Sequence, residues 1–106
     1  MLLQLHQDFL KRQLLLDKCL KRRLQIQNRL GLHARAAAKF VQTANRFAAE
    51  IWVTHKSQRV NGKSIMGIMM LAATFETWLE LEVSGEDADE ALLAITELMA
   101  NKFGED

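Results

Sequence analysis

With 106 residues, 49% of them apolar, the chain suits one small domain with a modest core and leaves little room for a second. A formal charge of +1 hides an asymmetry: the first 23 residues carry six basic and two acidic side chains, the remainder eight and eleven. The mildly acidic body lacks the basic, aromatic-studded surface of a nucleic-acid module. A single cysteine, Cys19, excludes an internal disulfide and any multi-cysteine metal site, and its expected role is as a small apolar residue of the N-terminal arm. No apolar run approaches the ~20 residues that span a bilayer. A signal peptide's uninterrupted apolar centre is also missing, so a cytoplasmic protein is expected.

In chain order, residues 1–22 read as a helical extension, and 23–106 as the domain proper. Leu2, Leu5, Phe9, Leu16 and Leu20 fall near one helical face, interrupted by Arg12 and Gln13, with Leu3, Leu10 and Leu14 on an adjacent stripe. The period then changes. "LQIQN" (24–28) alternates apolar and polar, as a half-buried strand does. Residues 34–47 are helical, with Ala37, Phe40, Val41, Ala44 and Phe47 spaced by three and four. Two short strands are predicted at 50–54 and 58–61, with a turn at 55–57. "KSIMGIMMLAAT" predicts a short apolar helix with Ser64 as its N-cap. "WLELEVS" alternates strictly and ends at Gly85, and a final amphipathic helix opens on the acidic run 86–90, read as a solvated start that suits the helix dipole. Strand, helix, strand, strand, helix, strand, helix implies the α+β class, an antiparallel sheet with its helices on one face. The chain contains no proline, so turns and helix starts rely on Gly, Asn, Ser and Asp.

"NRLGLHARAAAKF" holds the first chemical candidate. His33 stands between a strand and a helix, after Gly31, which lets the backbone turn without Cβ strain. A helix start offers unpartnered N–H groups and the positive end of the dipole, and so favours phosphate. A phosphoryl group on the His33 ring would find the amides of Ala34 and Arg35, with the Arg35 guanidinium adding a mobile positive charge. An imidazole is largely unprotonated near neutral pH and therefore nucleophilic. On spacing alone, a capping or surface histidine remains the competing reading. His6 and His55 have no carboxylate or cysteine at ligand spacing, so no metal is assigned.

Three segments, "GLHARAAAKFVQTA", "VNGKSIMGIMMLAA" and "EVSGEDADEALLAITEL", closely resemble the HPr family, the histidine-containing phosphocarriers of the bacterial phosphoenolpyruvate phosphotransferase system, NPr of the nitrogen branch included. The resemblance spans about residues 23–104. It implies an open-faced sandwich with strand order 1-4-2-3 and three helices on one face. It further implies that His33 takes phosphate on Nδ1 from phosphorylated enzyme I and hands it to an enzyme IIA, with Arg35 as the active-centre arginine. The chain would then be a carrier in a relay rather than an enzyme, and would need no cofactor. Through the same resemblance, Ser64 matches a serine phosphorylated by HPr kinase/phosphorylase in some hosts, and Ile65, Met66 and Met69 would dock partners beside His33. The alternative it leaves open is a regulatory binding module controlled by phosphorylation at Ser64.

One position departs from the family pattern. Proline usually follows the arginine, and here Ala36 does, which adds an N–H and removes some rigidity. The arm lies outside the resemblance. If the sheet order holds, Trp52 and Trp78 share the face without helices as an exposed apolar patch. Residues 1–22 would then cover that face or self-associate with another copy's arm.

Overall fold

The computed structural model describes residues 2–16 and 18–105. The elements run α1 (Leu2–Leu16), β1 (Cys19–Gln25), α2 (Ala34–Ala44), β2 (Glu50–His55), β3 (Gln58–Asn61), α3 (Ile65–Met70), β4 (Trp78–Ser84) and α4 (Ala88–Ala100), followed by a 3-10 turn at Lys102–Gly104. One antiparallel sheet has the order β1-β4-β2-β3. Leu81 faces Arg22 of β1 on one side and Val53 of β2 on the other, and Val53 faces Val60 of β3.

The period of two in β2 and β4 sorts their residues cleanly. Ile51, Val53, Leu79, Leu81 and Val83 are buried on the inner face. There they meet Ala36, Ala37, Phe40 and Ala44 of α2, Ile68 of α3, and Ala88, Ala91, Ile95 and Met99 of α4. The small residues of α2 and α4 let these helices lie close to the sheet, while Phe40 supplies bulk. This is the open-faced α+β sandwich that the element order and the resemblance predict, with an N-terminal helix in addition. No helix among the described residues is long and apolar enough to cross a membrane.

The first strand corrects the expected boundary between a helical extension at 1–22 and a domain at 23–106. β1 spans Cys19–Gln25 and pairs along its whole length with β4, from Cys19 opposite Ser84 to Gln25 opposite Trp78. The helical extension ends at Leu16, and Cys19 belongs to the sheet. "CLKRRLQ" hides its strand character because Arg22 occupies an inward position. On an edge strand such a side chain reaches solvent past the sheet's rim, and Arg22 is exposed.

The open face is also different from the expected apolar patch. Arg59 lies over the Trp52 ring at 4.2 Å and Arg23 over Trp78 at 4.9 Å. Arg59 also donates to Glu82 from Nε and Nη2, at 3.1 and 2.9 Å, and Lys21 approaches the same carboxylate at 3.5 Å. These cations, Arg59 first, hold the Glu82 carboxyl below its ordinary range. Each tryptophan therefore carries a guanidinium on its face. Nor does the arm cover this face: Trp78 is 48% exposed, and the residues of α1 from Leu2 to Gln13 are exposed too.

The acidic start of α4 does more than meet solvent. Asp87 makes no cap bond to its own helix; its two carboxylate oxygens accept the amides of Ala48 and Ala49, each at 2.8 Å. The segment between α2 and β2 is thereby pinned to the segment between β4 and α4.

Candidate functional site

The site grows out of the connection between β1 and α2. Past Gln25, the backbone of Ile26 pairs with Thr77 and Glu76, and residues 28–31 close a turn in which the Gly31 N–H donates to the Asn28 carbonyl at 3.1 Å. Gly31 has φ +68, and a Cβ there would stand 2.5 Å from the Ala73 carbonyl oxygen. Both the left-handed backbone and the close approach require glycine. Leu32 then donates to Ala73 at 2.9 Å, which fixes the chain entering α2 against the segment leaving α3.

His33 follows as the N-cap of α2, with extended φ/ψ of −72 and 176. The first intrahelical bond runs from the Ala37 N–H to the His33 carbonyl at 2.8 Å. The amides of Ala34, Arg35 and Ala36 thus precede the ladder and face the cap. The Arg35 N–H donates to His33 Nδ1 at 3.3 Å, a long bond. The Ala34 and Arg35 side chains are exposed, whereas Ala36 is fully buried in the core.

The other ring nitrogen has a partner that sequence reasoning missed. His33 Nε2 lies 2.9 Å from both carboxylate oxygens of Glu105. Glu105 Oε1 also accepts the Asn28 side-chain amide at 2.7 Å, and the same Nδ2 donates to the Gly31 carbonyl at 2.7 Å. Asn28 is the buried polar residue of the core, 0% exposed. The hydrogen bond from Asn28, then that from His33, and the Arg35 guanidinium hold the Glu105 carboxyl below its ordinary value, against the opposing effect of burial.

In the neutral ring these contacts favour the proton on one nitrogen. An ionised carboxylate only accepts, so Nε2 is the donor toward Glu105. The Arg35 N–H only donates, so Nδ1 presents its lone pair. Two independent bonds select one tautomer, with the nucleophilic pair aimed at the helix start.

Glu105 reaches the ring by an unusual route. Lys102, Phe103 and Gly104 all have positive φ, at 57, 56 and 76, and turn the chain sharply after α4. Phe103 is 1% exposed and anchors the turn in the core, while Lys39 of α2 donates to its carbonyl at 2.7 Å. The only sequence hint was an isolated "FG" just beyond the last helix, too weak to place a residue 72 positions from His33.

The structure brings His33 and Arg35 together on one helix start and sets Ser64 on another. Ser64 Oγ accepts the Gly67 N–H at 3.0 Å and caps α3, as its position predicts. Ile68 and Leu71 of that segment are buried, and Ile65, Met66 and Met69 are 41, 68 and 41% exposed. α3 packs beside α2. His6 lies on α1 and His55 ends β2, and the hydrogen bonds of the His33 ring run to Glu105 and Arg35 instead.

The family model described as the PTS HPr component phosphorylation site matches residues 20–101, which takes in nearly all of β1. A phosphocarrier protein HPr of Neisseria meningitidis serogroup A is 57% identical over 86 residues, 81% of this chain and 97% of that protein. One from Pseudomonas aeruginosa is 52% identical over 83 residues, covering 77% and 92%. Among solved structures, HPr-C-His from Thermoanaerobacter tengcongensis superposes with a TM-score of 0.79 at 45% identity, covering 82% of this chain and 98% of that one. Crh of Bacillus subtilis, described as a swapped dimer, gives 0.64 at 39% identity, with coverage of 74% and 91%.

Proposed function

The chain belongs to the HPr family of phosphotransferase-system phosphocarriers, and from that membership we propose that it accepts a phosphoryl group on Nδ1 of His33 from phosphorylated enzyme I and passes it to an enzyme IIA. The observation that carries this reading is the Nδ1 ring edge at the opening of an eleven-residue helix, with the amides of Ala34 and Arg35 ahead of the ladder. An incoming phosphoryl group meets N–H donors and the positive end of the dipole as it forms its bond to nitrogen. The Arg35 side chain is exposed and supplies a mobile fork for the phosphoryl oxygens. Such transfer consists of positioning and electrostatics, and the chain's own groups supply both.

Partner recognition falls to the neighbouring helix in this reading. Exposed Ile65, Met66 and Met69 form a deformable apolar surface, suited to an enzyme I and an enzyme IIA that dock in turn. Phosphorylation of Ser64 by an HPr kinase/phosphorylase would place a dianion at the edge of that surface and alter docking. The self-association expected of residues 1–22 is proposed for α1 alone, whose side chains from Leu2 to Gln13 are exposed; two solved relatives are described as dimers.

Incubation with enzyme I and phosphoenolpyruvate tests the central claim. One acid-labile, base-stable phosphoryl group per chain is expected. His33→Ala should abolish it, and His6→Ala and His55→Ala should keep it. Undiminished labelling of His33→Ala would remove the proposal.

A further inference from the structure

Glu105 meets the ring of His33 at Nε2, the edge opposite Nδ1, and Asn28 holds Glu105 there. We propose that Glu105, oriented by Asn28, keeps Nε2 of His33 protonated through the whole carrier cycle, so that the departing phosphoryl group always leaves a neutral imidazole behind. The inference rests on the reading of His33 as acceptor and deepens it.

The bond changes are simple to follow. In the resting ring Nε2 bears the proton and Nδ1 the lone pair. Attack by Nδ1 on phosphorus forms the P–Nδ1 bond while the donor's bond to phosphorus breaks and its electron pair stays with the donor. The ring becomes a phosphoimidazolium: Nε2 keeps its proton, and the new positive charge lies between the phosphoryl oxygens and the Glu105 carboxylate. On forward transfer the P–Nδ1 bond breaks, its pair returns to Nδ1, and the resting tautomer is regenerated. No proton enters or leaves. Without the carboxylate, Nε2 of the phosphorylated ring loses its proton more readily, and departure would then leave an imidazolate, a far poorer leaving group.

Three observations support a built device rather than an incidental contact. Glu105 meets Nε2 with both oxygens at 2.9 Å, a charge-assisted geometry. Asn28 is fully buried and spends its one side-chain amide on Glu105 and on the turn that delivers His33, so the carboxylate and the ring are set by the same group. The backbone makes three consecutive left-handed residues, anchored by buried Phe103, to carry Glu105 there. A carboxylate that fixes an imidazole's tautomer and steadies its cation is a recurrent solution wherever a histidine must gain charge during a reaction. Glu105 and Asn28 act through His33 and are positioning residues. Among the described residues the other charges facing this cluster are Arg35 on α2, which acts on Glu105, and Lys39, which is bound to the Phe103 carbonyl.

The experiment uses the full chain with 15N-labelled histidine. In the unphosphorylated protein, nitrogen shifts should show the Nε2–H tautomer of neutral His33, and this arm is independent of phosphotransfer. A ring protonated at Nδ1 would overturn the proposal. After phosphorylation by enzyme I and phosphoenolpyruvate, the pH at which Nε2 loses its proton should fall by about one unit in Glu105→Gln. Hydrolysis and transfer to an enzyme IIA should slow above that new midpoint. Glu105→Asp should recover part of the shift, and Asn28→Ala should show part of the loss. Equal midpoints in wild type and Glu105→Gln would overturn the role of Glu105 while leaving His33 as acceptor. Failure of the wild type to phosphorylate at all would instead count against the acceptor reading.

Discussion

Among the described residues two helices begin on a side-chain cap, and the caps are opposites. Ser64 holds the Gly67 amide at 3.0 Å, a strong bond three residues into α3. His33 holds the Arg35 amide at 3.3 Å, a weak one only two residues into α2. The serine oxygen is committed to its helix. The histidine nitrogen is loosely engaged, and its orientation comes from elsewhere, through Glu105 and Asn28. A cap that stabilises its helix well has its lone pair occupied. If His33 is the acceptor proposed above, it is a cap held from behind, with its front left free.

The largest effect should come from the turn that delivers the His33 cap. Gly31→Ala imposes a left-handed backbone on alanine, ~1–2 kcal/mol. It also drives Cβ to 2.5 Å from the Ala73 carbonyl oxygen, where displacement adds ~1–3 kcal/mol. A total loss near 3 kcal/mol is expected from denaturant unfolding, with a loss of phosphotransfer. Wild-type stability for this variant would mean that the turn is far softer than its contacts indicate.

The caps themselves come next. Ser64→Ala should cost about 1 kcal/mol, since the Gly67 amide loses its partner. His33→Ala should cost less through its cap bond, which is already long. Thermal melts of the two variants give the order directly, and a larger loss at position 33 would reverse the comparison.

Acidification separates the two caps by a different means. Glu105 has its pKa lowered in the folded protein, so its contribution is fully present above the ordinary value of 4.5. It is lost as pH falls through the folded value. Nitrogen shifts of His33 should therefore move in a step below pH 4.5 that is absent from Glu105→Gln, while the amide signal of Gly67 stays still. A Gly67 signal that moved in the same step would tie the two helix starts together.

The smallest effect is expected at Ala36. The intrahelical ladder starts from the Ala37 N–H, so proline at 36 removes no ladder bond. Ala36→Pro should retain the fold by circular dichroism and keep transfer within about tenfold, ~1.4 kcal/mol in barrier. A thousandfold loss would show that the Ala36 amide takes part in the site.

The legible and illegible parts of the molecule divide along physical lines. "WLELEVS" spans β4 residue for residue because a central strand with one buried face must alternate. β1 resisted the same reading, since an edge strand tolerates Arg22 at an inward position. His33, Gly31 and Ser64 announced themselves because caps and tight turns are local and restrict residue type. Glu105 and Asn28 could not be paired from sequence. Their contact depends on how α4 ends and on which way three left-handed residues point the chain. The alternation of "LQIQN" places Asn28 at the close of a strand, while its burial and its two bonds come from folding. The tryptophans were placed on the right face but misjudged in character, since the arginines over them belong to neighbouring strands or lie several residues away.

Glu82 sits on that open face in a central strand, and cations from both rims of the sheet converge on it: Lys21 directly across from β1, and Arg59 reaching diagonally over Trp52 from β3. Edge strands are the ones free to slide, and a slide of one residue would turn Val60 outward and carry Arg59 to the wrong face. The shared carboxylate works as an alignment mark read from two sides at once. Both rims are indexed to the same atom pair, so an error in either is penalised without reference to the other.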